Sequence, residues 1–274
     1  MRIEVDDGVG LAVELVGDGP LLVCVHGLGG SGEDFADHVA ALATRTTVAV
    51  VDLRGHGQSD RAEDYSLDRL ARDVVAVADA LGAATFRLVG HSMGGMVARR
   101  VAVDALGRVD AVVFMSTAAG PPAGLDPVLV DAAAELALAD WDALRVALDE
   151  ARPLGTPAFE RLRATRPGFA DHLDRRFAQC DPRAWAALAP AVARESDRRA
   201  PPAAVACPAL VQVGVLDAAF LAGSRALAAA VPGAVLAEIA DAGHHPHLEA
   251  PAVWLAGIEA WLDRTDVTAP GGNR

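Results

Sequence analysis

Short runs rich in Val and Leu alternate with longer amphipathic stretches through the first 120 residues, stop near Pro121, and resume at Ala209. The apolar runs are Leu11–Val16, Leu21–His26, Thr46–Asp52, Thr85–His91 and Asp110–Ser116, with helical patterns at Glu33–Ala43, Ser66–Leu81 and Met93–Leu106. Fully apolar runs separated by helices need crossover connections, so the spacing predicts a mostly parallel sheet with helices on both faces. The first two runs lie close together and are expected to form an antiparallel edge. Ala209–Gly214, a helix near Ala219–Ala230, Val235–Ala240 and a last helix from Pro251 to Leu262 complete the pattern.

Between Pro121 and Pro202 there is no strand pattern, only modest helices at Leu125–Ala139, Asp140–Ala151, Pro157–Ala164, Phe169–Gln179 and Pro182–Arg194. An insertion of roughly 80 residues is too long for a plain loop. Both its flanks re-enter one sheet, so it should cap the C-terminal edge of the strands, where open α/β sheets bind ligands. The expected organisation is a core of residues 1–120 and 203–263, a helical cap of 121–202, and a disordered tail of 264–274.

Composition narrows the chemistry. The formal net charge of −13 makes nucleic acid and anionic membranes poor partners. All 24 basic residues are arginine, which excludes Schiff-base chemistry through a protein lysine. Cys24, Cys180 and Cys207 are odd in number and share no C-x-x-C spacing, so neither a disulfide framework nor a thiolate zinc site is expected. Carboxylates follow Met1 before an apolar h-region can form, and no window is apolar enough to span a membrane. A soluble, cytoplasmic protein without cofactor or metal is expected.

The strongest local signal is Gly90-His91-Ser92-Met93-Gly94-Gly95, between an apolar run and a helix. Such a strand–turn–helix exposes a serine hydroxyl on a sharp, strained turn, with the Met93 N–H at a helix N-terminus where an oxyanion can be met. A second loop, His26-Gly27-Leu28-Gly29-Gly30, would supply another oxyanion donor, the N–H of Leu28. A phosphate-cradling reading of this loop lacks both G-x-G-x-x-G and a lysine.

The serine needs a base. Gly243-His244 lies between the last strand and the last helix, which favours His244, with the adjacent His245 second. His91 should point away from Ser92, and His26 and His56 belong to turns where structural hydrogen bonding is expected. His244, His245, His247 and Glu249 do not read as a metal site, because neighbours on an extended segment splay apart. The base in turn needs a carboxylate. Asp217 follows the strand ending at Gly214, whereas Met115–Gly120 at the competing strand end carries none.

On these residues the chain resembles the α/β-hydrolase superfamily, in its serine-nucleophile branch, over nearly all its length. Asp52-Leu53-Arg54-Gly55-His56-Gly57-Gln58-Ser59 is similar to the family's D-x-R-G-x-G-x-S turn, and Gly243-His244 through Glu249-Ala250-Pro251 to its G-H-x-x-x-x-E-x-P ending. The resemblance implies an eight-stranded, mostly parallel sheet, a Ser92–Asp217–His244 triad, and an oxyanion hole of Leu28 and Met93. Small esterases and 3-oxoadipate enol-lactonases are the most similar branches. The expected activity is hydrolysis of a small carboxylic ester or lactone through an acyl-enzyme. Carbon–carbon bond cleavage by the same triad and a low-turnover ligand receptor are the alternatives. The arginines and aromatics of the cap are expected to be solvated faces and core, so none is assigned to substrate.

Overall fold

The computed structural model describes residues 1–152, 154–196 and 198–268. Eight strands form one sheet: β1 (Arg2–Glu4), β2 (Gly10–Val16), β3 (Leu21–Val25), β4 (Thr47–Val51), β5 (Phe86–His91), β6 (Val109–Met115), β7 (Ala209–Gly214) and β8 (Val235–Ile239). Their order across the sheet is β1-β2-β4-β3-β5-β6-β7-β8, with the first two joins antiparallel and all later ones parallel.

The edge differs from the sequence expectation. β2 pairs with β4, Val13 opposite Val51, and β3 lies one strand further in. Every residue of β3 is buried, whereas β2 turns outward beyond Val13, so β3 is suited to the interior and β2 to the edge. Gly17 and Gly19, both at positive φ, let the short link between them step past the start of β4. β1, only three residues long with a single buried side chain, is too short to leave a period-2 signal.

Alternate residues of the central strands feed two separate cores. Leu22 and Cys24 pack with Trp254 and Ile258 of the last helix, α11 (Pro251–Thr268), which follows the single-turn α10 (Pro246–Glu249), and with Val39 of α1 (Ala36–Leu42). Val23 and Val25 face Val74 of α2 (Leu67–Ala80), Val97 of α3 (Met93–Asp104) and Leu227 of α9 (Leu221–Ala230). In α2 the buried Leu67, Leu70, Val74 and Val77 follow helical spacing, and Ser66 caps the helix by accepting from the Arg69 N–H.

Among the described residues five α-helices lie between β6 and β7: α4 (Pro127–Ala139), α5 (Trp141–Ala151), α6 (Pro157–Thr165), α7 (Phe169–Ala178) and α8 (Pro182–Ala193). Three of them open with a capping side chain followed by proline, at Asp126-Pro127, Thr156-Pro157 and Asp181-Pro182. Proline at the first helical position sacrifices no bond, because that N–H has no partner inside the helix. α4 and α8 pack together through Ala134, Ala137, Trp185 and Ala189. The group is tied to the loops beyond the strands' C-terminal ends: the Asp181 N–H donates to Gly55 O (2.7 Å), Tyr65 donates to Asp181 Oδ2 (2.7 Å), and Thr156 donates to Glu249.

α11 continues past Leu262, where the apolar pattern ends, to Thr268, since no glycine or proline interrupts residues 263–268. The rest of the tail expected to be disordered, residues 269–274, lies outside the described residues. Among the described residues no helix is long and apolar enough to cross a membrane.

Candidate active site

β5 ends at His91 and α3 begins at Met93, so Ser92 makes the whole turn alone, at φ 54° and ψ −118°. That conformation is strained for any residue with a Cβ. The neighbouring glycines are required by close approach. A Cβ on Gly90 would lie 2.3 Å from the Gly94 carbonyl oxygen, and one on Gly94 would lie 2.4 Å from that of Val25. The Ser92 N–H donates to Met115 O (2.8 Å), and its carbonyl accepts from the Gly95 N–H (2.9 Å), the Met96 N–H (3.2 Å) and the Thr117 hydroxyl (2.8 Å). Thr117 occupies the strand end where the sequence finds no carboxylate, and it holds the strained turn from outside.

The loop after β3 crosses directly over this elbow. A Cβ on Gly27, next to Leu28, would lie 3.2 Å from Ser92 Cβ. Two histidines fix the loop, as their places in turns suggested. His26 Nε2 accepts the Leu53 N–H (3.0 Å) while Nδ1–H donates to Gly27 O (2.7 Å). His56 Nε2 accepts the Gly29 N–H (3.2 Å) and its Nδ1–H donates to Arg54 O (3.1 Å). Both rings are buried and each must keep one bare nitrogen. Burial pushes the His56 pKa from 6.5 down to about 3 and lowers that of His26 too. Asp52 closes the same turn, accepting from the Gly32 and Gln58 N–H groups at 2.6 and 2.8 Å.

Replacing His56 by alanine strands the Gly29 N–H and should cost about 1–3 kcal/mol at pH 8. The sign with pH follows from the depressed folded-state value. Below pH 6.5 the unfolded chain protonates this histidine and the native state does not, so its stabilisation is complete above 6.5 and is lost toward pH 3. Wild type should therefore lose about 1.4 kcal/mol per pH unit more than His56→Ala, and the deficit seen at pH 8 should vanish near pH 5. Urea unfolding of both proteins at the two pH values measures it. An unchanged deficit at pH 5 refutes the neutral assignment.

On the far side of the elbow, the loop after β7 carries Asp217 and the loop after β8 carries His244. The two loops are joined by the Leu216 N–H to Ala242 O (2.8 Å). His244 Nδ1–H donates to Asp217 Oδ2 at 2.9 Å, with both residues only 2% exposed. Asp217 Oδ1 also accepts the Phe220 N–H (3.2 Å), and the Phe220 ring packs 4.8 Å from that of His244. This fixes the His244 tautomer and leaves Nε2 as the basic nitrogen. His245, the second candidate base, lies instead against Phe159 with its Nδ1 unpartnered, and burial beside His244 drives its pKa well down.

Three groups of contacts go beyond the sequence assignments. Glu249 accepts the N–H groups of Gly243 and His245, both at 2.9 Å, and so clamps the residues on either side of His244. Its signal in the sequence is the glutamate of the G-H-x-x-x-x-E-x-P ending. His91 turns toward His244, donating from Nε2 to its carbonyl oxygen at 2.7 Å. From α7, Arg176 and His172 both reach Asp34 Oδ1, at 3.0 and 2.9 Å, just beyond the glycine loop. Among the described residues no three His, Cys, Asp or Glu side chains are arranged to hold a metal ion.

Comparison with known proteins places this geometry in context. The profile of the family described as the alpha/beta hydrolase fold matches residues 20–251. The chain is 32% identical over 255 residues to a pimeloyl-[acyl-carrier protein] methyl ester esterase of Chromobacterium violaceum, covering 87% of this chain and 92% of that one. Among solved structures it is similar to the enol-lactonase from Burkholderia xenovorans LB400 (TM-score 0.85, 26% identity, 96% and 100% of the two chains). It is likewise similar to a thermophilic esterase from Thermogutta terrifontis (TM-score 0.83, 26% identity, 97% and 98%).

Proposed function

The chain belongs to the α/β-hydrolase-fold family, and from that premise we propose that it is a serine hydrolase cleaving a small carboxylic ester or lactone through an acyl-enzyme on Ser92. The observation that carries the reading is the buried 2.9 Å His244–Asp217 hydrogen bond, on loops at the sheet edge where Ser92 forms its strained turn. In the mechanism, Ser92 Oγ attacks the carbonyl carbon as His244 Nε2 takes its proton. Asp217 holds the imidazole's tautomer and stabilises the imidazolium. The N–H groups of Leu28 and Met93 receive the oxyanion. His244 then protonates the leaving oxygen, and a water deprotonated by His244 releases the acid and restores Ser92.

Residues 121–202 act in this reading as a cap that closes over the site, consistent with a Ser92 that is only 8% exposed. The ester and lactone chemistry named for the similar proteins favours a small, largely apolar carboxylic ester or lactone as substrate, turned over in the cytoplasm without a cofactor. Treatment with a fluorophosphonate probe followed by peptide mass spectrometry tests the proposal without a guessed substrate. A single adduct on Ser92 is expected. A folded protein that takes up no probe there rules out an activated serine.

A further inference from the structure

We propose that His91 is the positioning residue for the general base: a neutral imidazole whose Nε2–H anchors the backbone carbonyl of His244, so that one strand end presents the nucleophile and also sets its base. This rests on the serine-hydrolase reading above. The Nε2 to His244 O distance is 2.7 Å across 153 residues of sequence. Because a carbonyl can only accept, Nε2 carries the proton.

The His91 ring lies under the whole base-bearing segment, its centroid 4.9 Å from His244, 5.2 Å from His245 and 5.0 Å from His247. Its other nitrogen, Nδ1, is buried without a partner. It packs against the glycine loop, where a Cβ on Gly27 would come within 3.1 Å of it. A phenylalanine would fill this space without leaving a desolvated nitrogen. What the imidazole adds is one N–H aimed at one carbonyl.

The site around it keeps that donor in place. The charged and titratable groups facing His91 are His244, His245, His247, Asp34 and Asp217. Burial, reinforced by His244, holds the His91 pKa near 3, so its protonation state does not change while His244 cycles. The anchoring of His244 is then complete on three sides. Glu249 takes the N–H groups of the flanking residues, Asp217 takes the side-chain Nδ1–H, and His91 takes the carbonyl. Without the last, the peptide after His244 is held at one end alone, by the His245 N–H on Glu249, and can tilt about that bond and carry the ring along, misdirecting Nε2 relative to Ser92.

The test compares His91→Phe, which keeps the ring and removes the donor, with His91→Gln, whose side-chain amide can place an N–H near the Nε2 position. A misplacement of about 1 Å at a reacting group can cost about 100-fold in rate, so His91→Phe should take up the fluorophosphonate about 100-fold more slowly. It should also lower kcat on any ester found to be turned over while leaving KM nearly unchanged. His91→Gln should recover to within about tenfold of wild type, since the carbonyl regains a donor. The far-downfield proton of the His244–Asp217 hydrogen bond, read by NMR, should broaden or shift upfield in His91→Phe alone.

Equal labelling rates for wild type and His91→Phe overturn the positioning role. A Gln variant as slow as the Phe variant overturns it too, because restoring an N–H donor would then recover nothing. If His91→Phe does not fold, His91→Met against His91→Gln makes the same comparison. Wild type that takes up no probe overturns the serine-hydrolase reading instead, and the NMR comparison still decides whether His91 holds His244.

Discussion

Ser92→Ala is expected to abolish fluorophosphonate uptake and lower kcat/KM by about a millionfold, as loss of the nucleophile does when the remaining machinery acts as one unit with it. Its stability should barely change. Alanine keeps the Cβ that makes φ 54° and ψ −118° unfavourable, and the backbone bonds to Met115, Gly95, Met96 and Thr117 remain. Ser92→Gly separates the two properties. It should be equally inactive, yet more stable than Ser92→Ala by about 1 kcal/mol, the strain relieved less the extra chain entropy of glycine. Probe labelling and urea midpoints on the three proteins supply both readouts. Turnover retained in Ser92→Ala would remove Ser92 from the mechanism, and a glycine variant no more stable than alanine would mean the elbow stores no strain.

The difference between what the sequence carries and what it hides is one of range. The elbow is legible because Gly90, Ser92 and Gly94 lie within five residues and their steric demands are local. Three of the helices between β6 and β7 are legible for the same reason, their starts written as Asp-Pro and Thr-Pro. Asp217 and His244 can be located because each follows a short run that reads as a strand, buried throughout in β7 and largely exposed in β8, and the structure finds them hydrogen-bonded.

The hidden features depend on partners far along the chain. Nothing near Leu11–Val16 says that its neighbour will be β4 rather than β3, because hydrophobic alternation specifies a face and not a partner. His91 and Thr117 look unremarkable as residue types. Their roles come from being folded against His244 and Ser92, where a buried polar group must find an acceptor or donor. Glu249 is intermediate: its spacing from His244 is visible, but the two N–H groups it clamps are not.

Asp73→Ala should be among the most destabilising single changes, costing about 3–5 kcal/mol, because it breaks a fully buried ion pair and leaves the cation behind. Arg54 and Asp73 are both fully buried and meet through two bonds, Nε to Oδ2 at 2.6 Å and Nη2 to Oδ1 at 2.8 Å. Arg69 shares the same carboxylate, with Nε 3.1 Å from Asp73 Oδ1. Without Asp73 the two guanidiniums face one another with only Asp7, 38% exposed, and the more exposed Asp6 to balance them. Repulsion in that low-dielectric pocket is poorly screened.

The damage should reach the site. The Arg54 carbonyl accepts from His56, and His56 holds the Gly29 N–H, so the probe-labelling rate should fall along with the urea midpoint. The double replacement Arg54→Met with Asp73→Leu separates charge from packing. It removes both buried ions and leaves Arg69 with Asp6 and Asp7, so it should return to within about 1–2 kcal/mol of wild type. A double variant as unstable as Asp73→Ala would mean that the shape of the Arg54 turn, rather than its neutralised charge, holds the glycine loop over Ser92.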